Sequence, residues 1–446
     1  MAAIPALADA PIVRTLLRLA GLNILINLTW VAINPTVDAY VVGRLGAPAL
    51  AGLSLVFPWV MLMQQMANGA LGAGVASAVA RRLGAGRPED AAALVVHGAV
   101  LALGMATVTM LILLPGGALL FRRMGAGDEV LAEALAYSDL LFAGAAAYWL
   151  LSALAAAVRG TGRLLVVTGT VVGAEVVHIA LSPVLTLGWG PVAGFGIAGA
   201  AAATLISFGV AIVLLVIYLF SRRSPLRLTA QAGRLRRDLF WEILKVGGPA
   251  AINVTLSNLT VVVLTAFAAS FGPLALAGYG LGVRLEYIQV PIVFGVGVGV
   301  IAMVGASVGA GRLARARRVA WVGAALAAGV TGMLGLGAAL VPQAWLGLFR
   351  REPEILAAGT TYLHIVGPAY AFIGLGLALQ FSFQGAGRAG WPVIAGLLRF
   401  LVAAGGGWVA VRWFGAGLPA LFAAIAAGLA VFALCMTVAF RRVMRS

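Results

Sequence analysis

Only 14 of the 446 residues are Asp or Glu and three are His, and most stand in short polar joints between long apolar runs. The exceptions are where chemistry is available. Asp38 closes a series that begins with Asn23, Asn27 and Asn34. At about 100° per residue, this spacing keeps the four side chains within an arc of ~60° if one helix carries them. They read as a polar stripe ending in a carboxylate. Pro35 lies inside the stripe, where it removes a backbone hydrogen bond and frees a carbonyl, so it is the expected hinge. Farther on, Glu175, His178, Ser182 and Thr186 again share one helical face, with an acid and an imidazole one turn apart. That pairing suits proton exchange. Asp38 and Glu175, as neighbours in a low-dielectric cavity, would raise each other's affinity for a proton or for Na⁺. Asp38, Glu175, His178, Asn34 and Ser182 therefore form the candidate cation-coupling group, with a possible Na⁺ position near Asp38.

The second half of the chain repeats the pattern incompletely. Asn253, Ser257 and Thr260 echo the first stripe, yet the position equivalent to Asp38 is Leu264. The ionic site is thus expected in the N-terminal half alone. Arg284, Glu286, Tyr287 and Gln289 cluster in one apolar run; a paired Arg284 and Glu286 would line a substrate path or lock helices together. With Asn23, Asn27, Asn253, Ser257 and Tyr370 they are the candidate substrate-cavity residues. The alternative role for the asparagines is hydrogen bonding between helices. Cys435 is the one cysteine, which excludes an intramolecular disulfide, and no Cys/His metal spacing occurs. No HExxH, nucleophile elbow or P-loop is present, so an enzyme is not expected and no cofactor is implied.

The elements that must position these groups follow from composition. The chain is 62% apolar and 10% charged, with a mean hydropathy of +1.06, whereas a soluble domain carries about 25% charged residues. Twelve apolar stretches long enough to cross a membrane lie at 16–43, 49–77, 91–114, 130–157, 164–188, 195–220, 240–270, 274–306, 315–341, 355–383, 390–411 and 416–440. The first residues lack the pattern of a removable signal peptide, so the first helix is expected to persist. A net charge of +16 suggests nucleic acid until the cations are placed on the helices. With a cytoplasmic N-terminus, 22 of the 30 Lys and Arg fall on that side, six on the other, and Arg284 and Arg399 inside helices. This satisfies the positive-inside rule with both termini cytoplasmic. The location expected is the plasma or inner membrane.

An internal repeat is visible at an offset of 225–226. Leu50-Ala51-Gly52 matches Leu276-Ala277-Gly278, Gly84-Ala85-Gly86-Arg87 matches Gly309-Ala310-Gly311-Arg312, and Gly160-x-Gly162-Arg163 matches Gly385-x-Gly387-Arg388; Tyr137 falls on Tyr362. An even number of crossings per half makes these parallel repeats. The fold expected is an all-α polytopic membrane protein of twelve transmembrane helices in two pseudo-symmetric six-helix bundles: a lobe over 1–220, a basic cytoplasmic linker over 221–238 and a second lobe over 239–446. A monomer is expected, with small molecules and the lipid bilayer as partners.

Pro35-x-x-Asp38-x-x-x-Val42-Gly43-Arg44-Leu45-Gly46 followed by Leu50-Ala51-Gly52 resembles the first-helix signature of the multidrug and toxic compound extrusion (MATE) family. Leu151-x-x-Leu154-x-x-x-x-Arg159-Gly160-x-Gly162 is similar to its fourth-helix end. Leu181-Ser182-Pro183, the Gly196–Thr204 run and Gly248-Pro249 fit as well. The resemblance covers essentially the whole chain. It implies a MATE/MOP-like exporter alternating between outward- and inward-open shapes, driven by an H⁺ or Na⁺ gradient, with Asp38 at the first-helix coupling position. Two departures matter. The asparagine and aspartate common in the family's fifth helix are here His178 and Ser182, and the seventh-helix glutamate of one branch is absent, with Ser257 near its place, so the chain looks more like the DinF-type branch. Antiport of small amphipathic, often cationic compounds is the leading expectation. A flippase for lipid-linked or glycan cargo is the alternative, and a major-facilitator transporter is disfavoured because the loop ARRLGAGRPEDA lacks that family's Gly-Asp-Arg-Arg pattern.

Overall fold

The structure, a computed structural model, describes residues 9–28, 34–191, 193–228, 233–349 and 352–444. Its elements are helices: α1 (Ile12–Leu28), α2 (Asn34–Gly43), α3 (Ala47–Gly84), α4 (Pro88–Arg123), α5 (Asp128–Ala143), α6 (Ala145–Gly160), α7 (Leu164–Leu187), α8 (Ile197–Phe220), α9 (Arg237–Ala269), α10 (Pro273–Gly309), α11 (Leu313–Leu340), α12 (Pro342–Leu346), α13 (Pro353–Gly385), α14 (Gly390–Arg412) and α15 (Leu418–Val443). Ten are long and apolar enough to cross a membrane, and α5 with α6, bent by 48°, makes an eleventh span. With no water in hydrocarbon, such runs satisfy their backbone polar groups only within helices. The first expected span, 16–43, corresponds to α1 and α2; residues 29–33 lie outside the described residues. The chain is an all-α polytopic membrane protein.

Glycines explain why the repeat anchors recur. Gly86 and Gly311 have φ of 71° and 72°, and Gly162 and Gly387 have 77° and 74°. Each sits just past a helix end, where a left-handed residue closes the last turn and a Cβ would be strained. Gly160 and Gly385 serve a second purpose. A Cβ on Gly160 would come within 2.6 Å of the Ala76 carbonyl, and one on Gly385 within 2.9 Å of the Ile301 carbonyl. The repeat thus preserves two equivalent close crossings, α6 on α3 and α13 on α10, of the small-residue kind on which membrane helices pack.

The chain forms two compact units. One is Leu25–Gly247; the other is Gly248–Ser446 together with the stretch of α1 up to Ile24. In the first, α2 packs against α3, α7 and α8, and α7 runs along α8. The start of α9 is tied into the same unit: Arg236 pairs with Asp90 and Asp238, both at 2.7 Å, and its N–H donates to His97 Nε2 at 2.8 Å. In the second unit α10 packs on α11 and α13, and α14 on α15. There Arg312 pairs with Asp9, and Arg315 donates to the Ala10 carbonyl, holding the start of α1.

Candidate functional site

Asp38 lies on α2 with its carboxylate nearly sealed from solvent. Oδ1 faces α7, where the Ser182 hydroxyl donates to it at 3.1 Å and His178 Nε2 stands 3.0 Å away, at an angle too oblique for a linear hydrogen bond. His178 and Ser182 are one turn apart, so one stripe of α7 supplies both partners. Across the ring, Nδ1 meets the Thr204 hydroxyl of α8 at 3.5 Å. With that hydroxyl donating, the ring proton resides on Nε2, the nitrogen that stands beside Asp38. Glu175, also buried, is one turn before His178, near enough for its charge to act on the ring. The buried phenol of Tyr137 on α5 lies within range of the Asp38 charge. The result is a carboxylate and an imidazole side by side in a buried position, with the Ser182 and Thr204 hydroxyls against them.

This brings together three of the five candidate coupling residues, with Glu175 alongside. The side chain of Asn34 lies outside the described residues, as does that of Asn27. Pro35, the expected hinge, lies on α2, and residues 29–33 before it lie outside the described residues. Asn23 belongs to α1. It lies in the other unit and donates to the Phe294 carbonyl at 3.3 Å, the interhelical bond that was its alternative role. The equivalent of Asp38, Leu264, is buried in an apolar cluster of the second unit.

In that unit the expected Arg284–Glu286 pair does not form. Residues two apart on a helix point to nearly opposite faces. Arg284 is exposed and lies over the Phe349 ring. Glu286 turns inward, accepts from the Tyr362 hydroxyl at 3.1 Å and faces Arg399 of α14 at 3.9 Å. Ser257 and Tyr287 are exposed, whereas Asn253, Gln289 and Tyr370 are buried. Tyr370 donates to the Gly282 carbonyl at 3.4 Å and Gln289 Nε2 to the Leu285 carbonyl at 3.4 Å. Among the described residues no cluster of His, Cys, Asp or Glu is arranged to hold a metal ion. Sequence reasoning left Thr204, Tyr137 and Tyr362 without site roles, although Tyr137 and Tyr362 were visible as matched repeat positions.

The MatE family model matches the chain twice, over residues 22–184 and 249–409. The chain belongs to the MatE family. The two matches fall one on each half, their ends 225 residues apart as the repeat offset has it, and span most of the sequence. Among curated relatives, a probable multidrug resistance protein, YoeA of Bacillus subtilis (strain 168), is 29% identical over 376 residues, covering 81% of this chain and 79% of its own length. An FAD transporter of Shewanella oneidensis is 27% identical over 378 residues, covering 83% and 81%. A crystal structure of MATE in the bent conformation superposes with a TM-score of 0.91 at 24% identity, covering all of this chain and 98% of that one. This MatE chain is a membrane transporter and not an enzyme.

Proposed function

We propose that this MatE protein is a secondary active transporter that exports small amphipathic organic compounds by H⁺ antiport through alternating access, with Asp38, His178 and Ser182 as the coupling site. The observation that carries the reading is the sealed contact between Asp38 and His178. An ionisable group inside a membrane protein is costly and marks function by default. Here two titratable groups share a position, so protons bind to the pair as a unit. Protonating both leaves Asp38 neutral and His178 charged and breaks the attraction that holds α2 to α7. Pro35, which lacks a backbone N–H to hold the helix path, is where the change in path would be absorbed. The imidazole nitrogen favours H⁺ over Na⁺, because hard cations take oxygen ligands. The curated relatives, a probable multidrug resistance protein and an FAD transporter, support export of organic cargo and a cargo range that differs between members.

The two six-helix lobes, 1–220 and 239–446, joined by the basic linker, act in this reading as a monomer in the cell membrane with both termini cytoplasmic. The experiment is efflux from proteoliposomes under an imposed pH gradient. Asp38→Asn is expected to lose gradient-driven export while still binding cargo, and Glu175→Gln to retain at least part of it. Undiminished export by Asp38→Asn would remove the coupling role.

A further inference from the structure

The second unit holds a charged centre that the Asp38 cluster does not use. Arg399 stands near the middle of α14, ~14 Å from one end and ~20 Å from the other at 1.5 Å per residue. Among the described residues its guanidinium has one anionic neighbour, Glu286 Oε1 at 3.9 Å, which is beyond hydrogen-bond distance, and it lies over the Phe432 ring at 5.9 Å. A guanidinium and carboxylate that lock two helices form a close fork, with oxygens at about 2.7–2.9 Å. This pair does not. Glu286 is instead held on its far side by the Tyr362 hydroxyl, and Tyr362 is itself fixed edge-on to Tyr279 and Phe422. The carboxylate is pinned just out of reach, and among the described residues the donors of Arg399 have no hydrogen-bond acceptor, while both side chains keep 21% exposure.

Two independent features mark the same place. Just after Arg399 the helix widens into a π turn, Leu401–Gly405, a distortion frequent at functional sites. One turn before Arg399, Gly396 leaves room for the Asn253 amide, which a Cβ there would overlap. Asn253 is 6% exposed, and its Nδ2 has no partner among the described residues. Residues 396 and 399 share a helix face. An unused amide donor therefore borders the face that carries an under-satisfied guanidinium.

We infer that Arg399 and Asn253 form a subsite for the carboxylate of an organic cargo, and that Glu286 is a tethered competitor which faces Arg399 when no cargo is bound. A planar fork of donors matches a carboxylate in two-point contact, and the group already nearest the fork is a carboxylate. The subsite rests on the export reading for its role in transport, but its binding chemistry stands apart from the Asp38 coupling site.

The test uses the full chain in nanodiscs and measures binding of 2-naphthoate against its neutral counterpart 2-naphthamide. The native protein is expected to prefer the carboxylate by about tenfold or more, and Arg399→Gln to abolish the preference. Glu286→Gln removes the competitor, so its affinity for 2-naphthoate is expected to rise by roughly fivefold. Arg399→Lys keeps the charge but loses the fork, and its naphthoate affinity is expected to fall by about as much. Equal binding of the two probes by the native protein, or naphthoate bound no better by Glu286→Gln, overturns the assignment. Asp38→Asn should bind both probes as the native protein does. If it does so and still exports normally, the coupling reading fails while the subsite stands.

Discussion

His178 occupies a position where the family resemblance places an asparagine, and in the proposed coupling site it makes the difference between binding a proton on one group and on two. An asparagine at 178 could still donate to Asp38 but could not titrate. His178→Asn is therefore expected to keep pH-driven export and to lose one limb of its pH–rate profile, measured in proteoliposomes across pH 5–9. His178→Ala leaves a buried carboxylate with Ser182 as its remaining close partner and is expected to cut export at least tenfold, since an uncompensated buried charge costs about 3–5 kcal/mol. Identical pH profiles for the native protein and His178→Asn would assign the titration to Asp38 alone. Asp38, His178 and Ser182 were each legible in the sequence, because polar residues are conspicuous in a chain that is 62% apolar. Their contact was not. Sequence spacing reports faces within one helix, whereas the meeting of α2 with α7 depends on tertiary packing. For the same reason the sequence pairs Glu286 with Arg284, two residues away, whereas it accepts from Tyr362 and faces Arg399 of α14.

At the scale of elements, apolar runs and glycines carry most of the information. Both kinds of repeat-related glycine have a physical cause, a left-handed turn or a close helix crossing, so they were readable as an ordered series of anchors. Breaks inside helices were less readable. The π turns Met66–Leu71 and Leu401–Gly405 lie within long, mostly apolar spans whose periodicity does not mark them. The bend between α5 and α6 falls inside what reads as the single stretch 130–157. The crossing of α6 on α3 gives a direct prediction. Gly160→Ala sets a methyl 2.6 Å from the Ala76 carbonyl, which belongs to the backbone and cannot swing aside. It is expected to destabilise by about 1–3 kcal/mol, as overpacked cores do. Gly169→Ala, where nothing lies within 4 Å, is the control and should be neutral or slightly stabilising through its better helix propensity. Thermal unfolding in detergent separates the two, and equal midpoints would show that the crossing gives way.

For the whole molecule, duplication and charge asymmetry work together. Two copies of one motif, each with an even number of crossings, enter the membrane from the same side, so the short loops on that side must all satisfy the same charge preference. The starts of α1 and α9 reflect the duplication with reversed polarity. Asp90 holds Arg236 in the first unit, and Arg315, its counterpart at an offset of 225, holds the Ala10 carbonyl in the second while Arg312 pairs with Asp9. If the cationic loops face the cytoplasm, residues between α8 and α9 are inside the cell and those between α7 and α8 are outside. In a Cys435→Ala background, Gly233→Cys introduces a thiol in the linker, where the native glycine is exposed with open space around it. Trp189→Cys introduces one at a position 75% exposed after α7. A membrane-impermeant maleimide added to intact cells is expected to label position 189 and to reach position 233 only after the cells are opened. Labelling of position 233 in intact cells with position 189 protected would invert the topology and place the basic linker outside. The charge distribution opposes that outcome at nearly every loop, because 22 cations would then have to cross the membrane and six would remain.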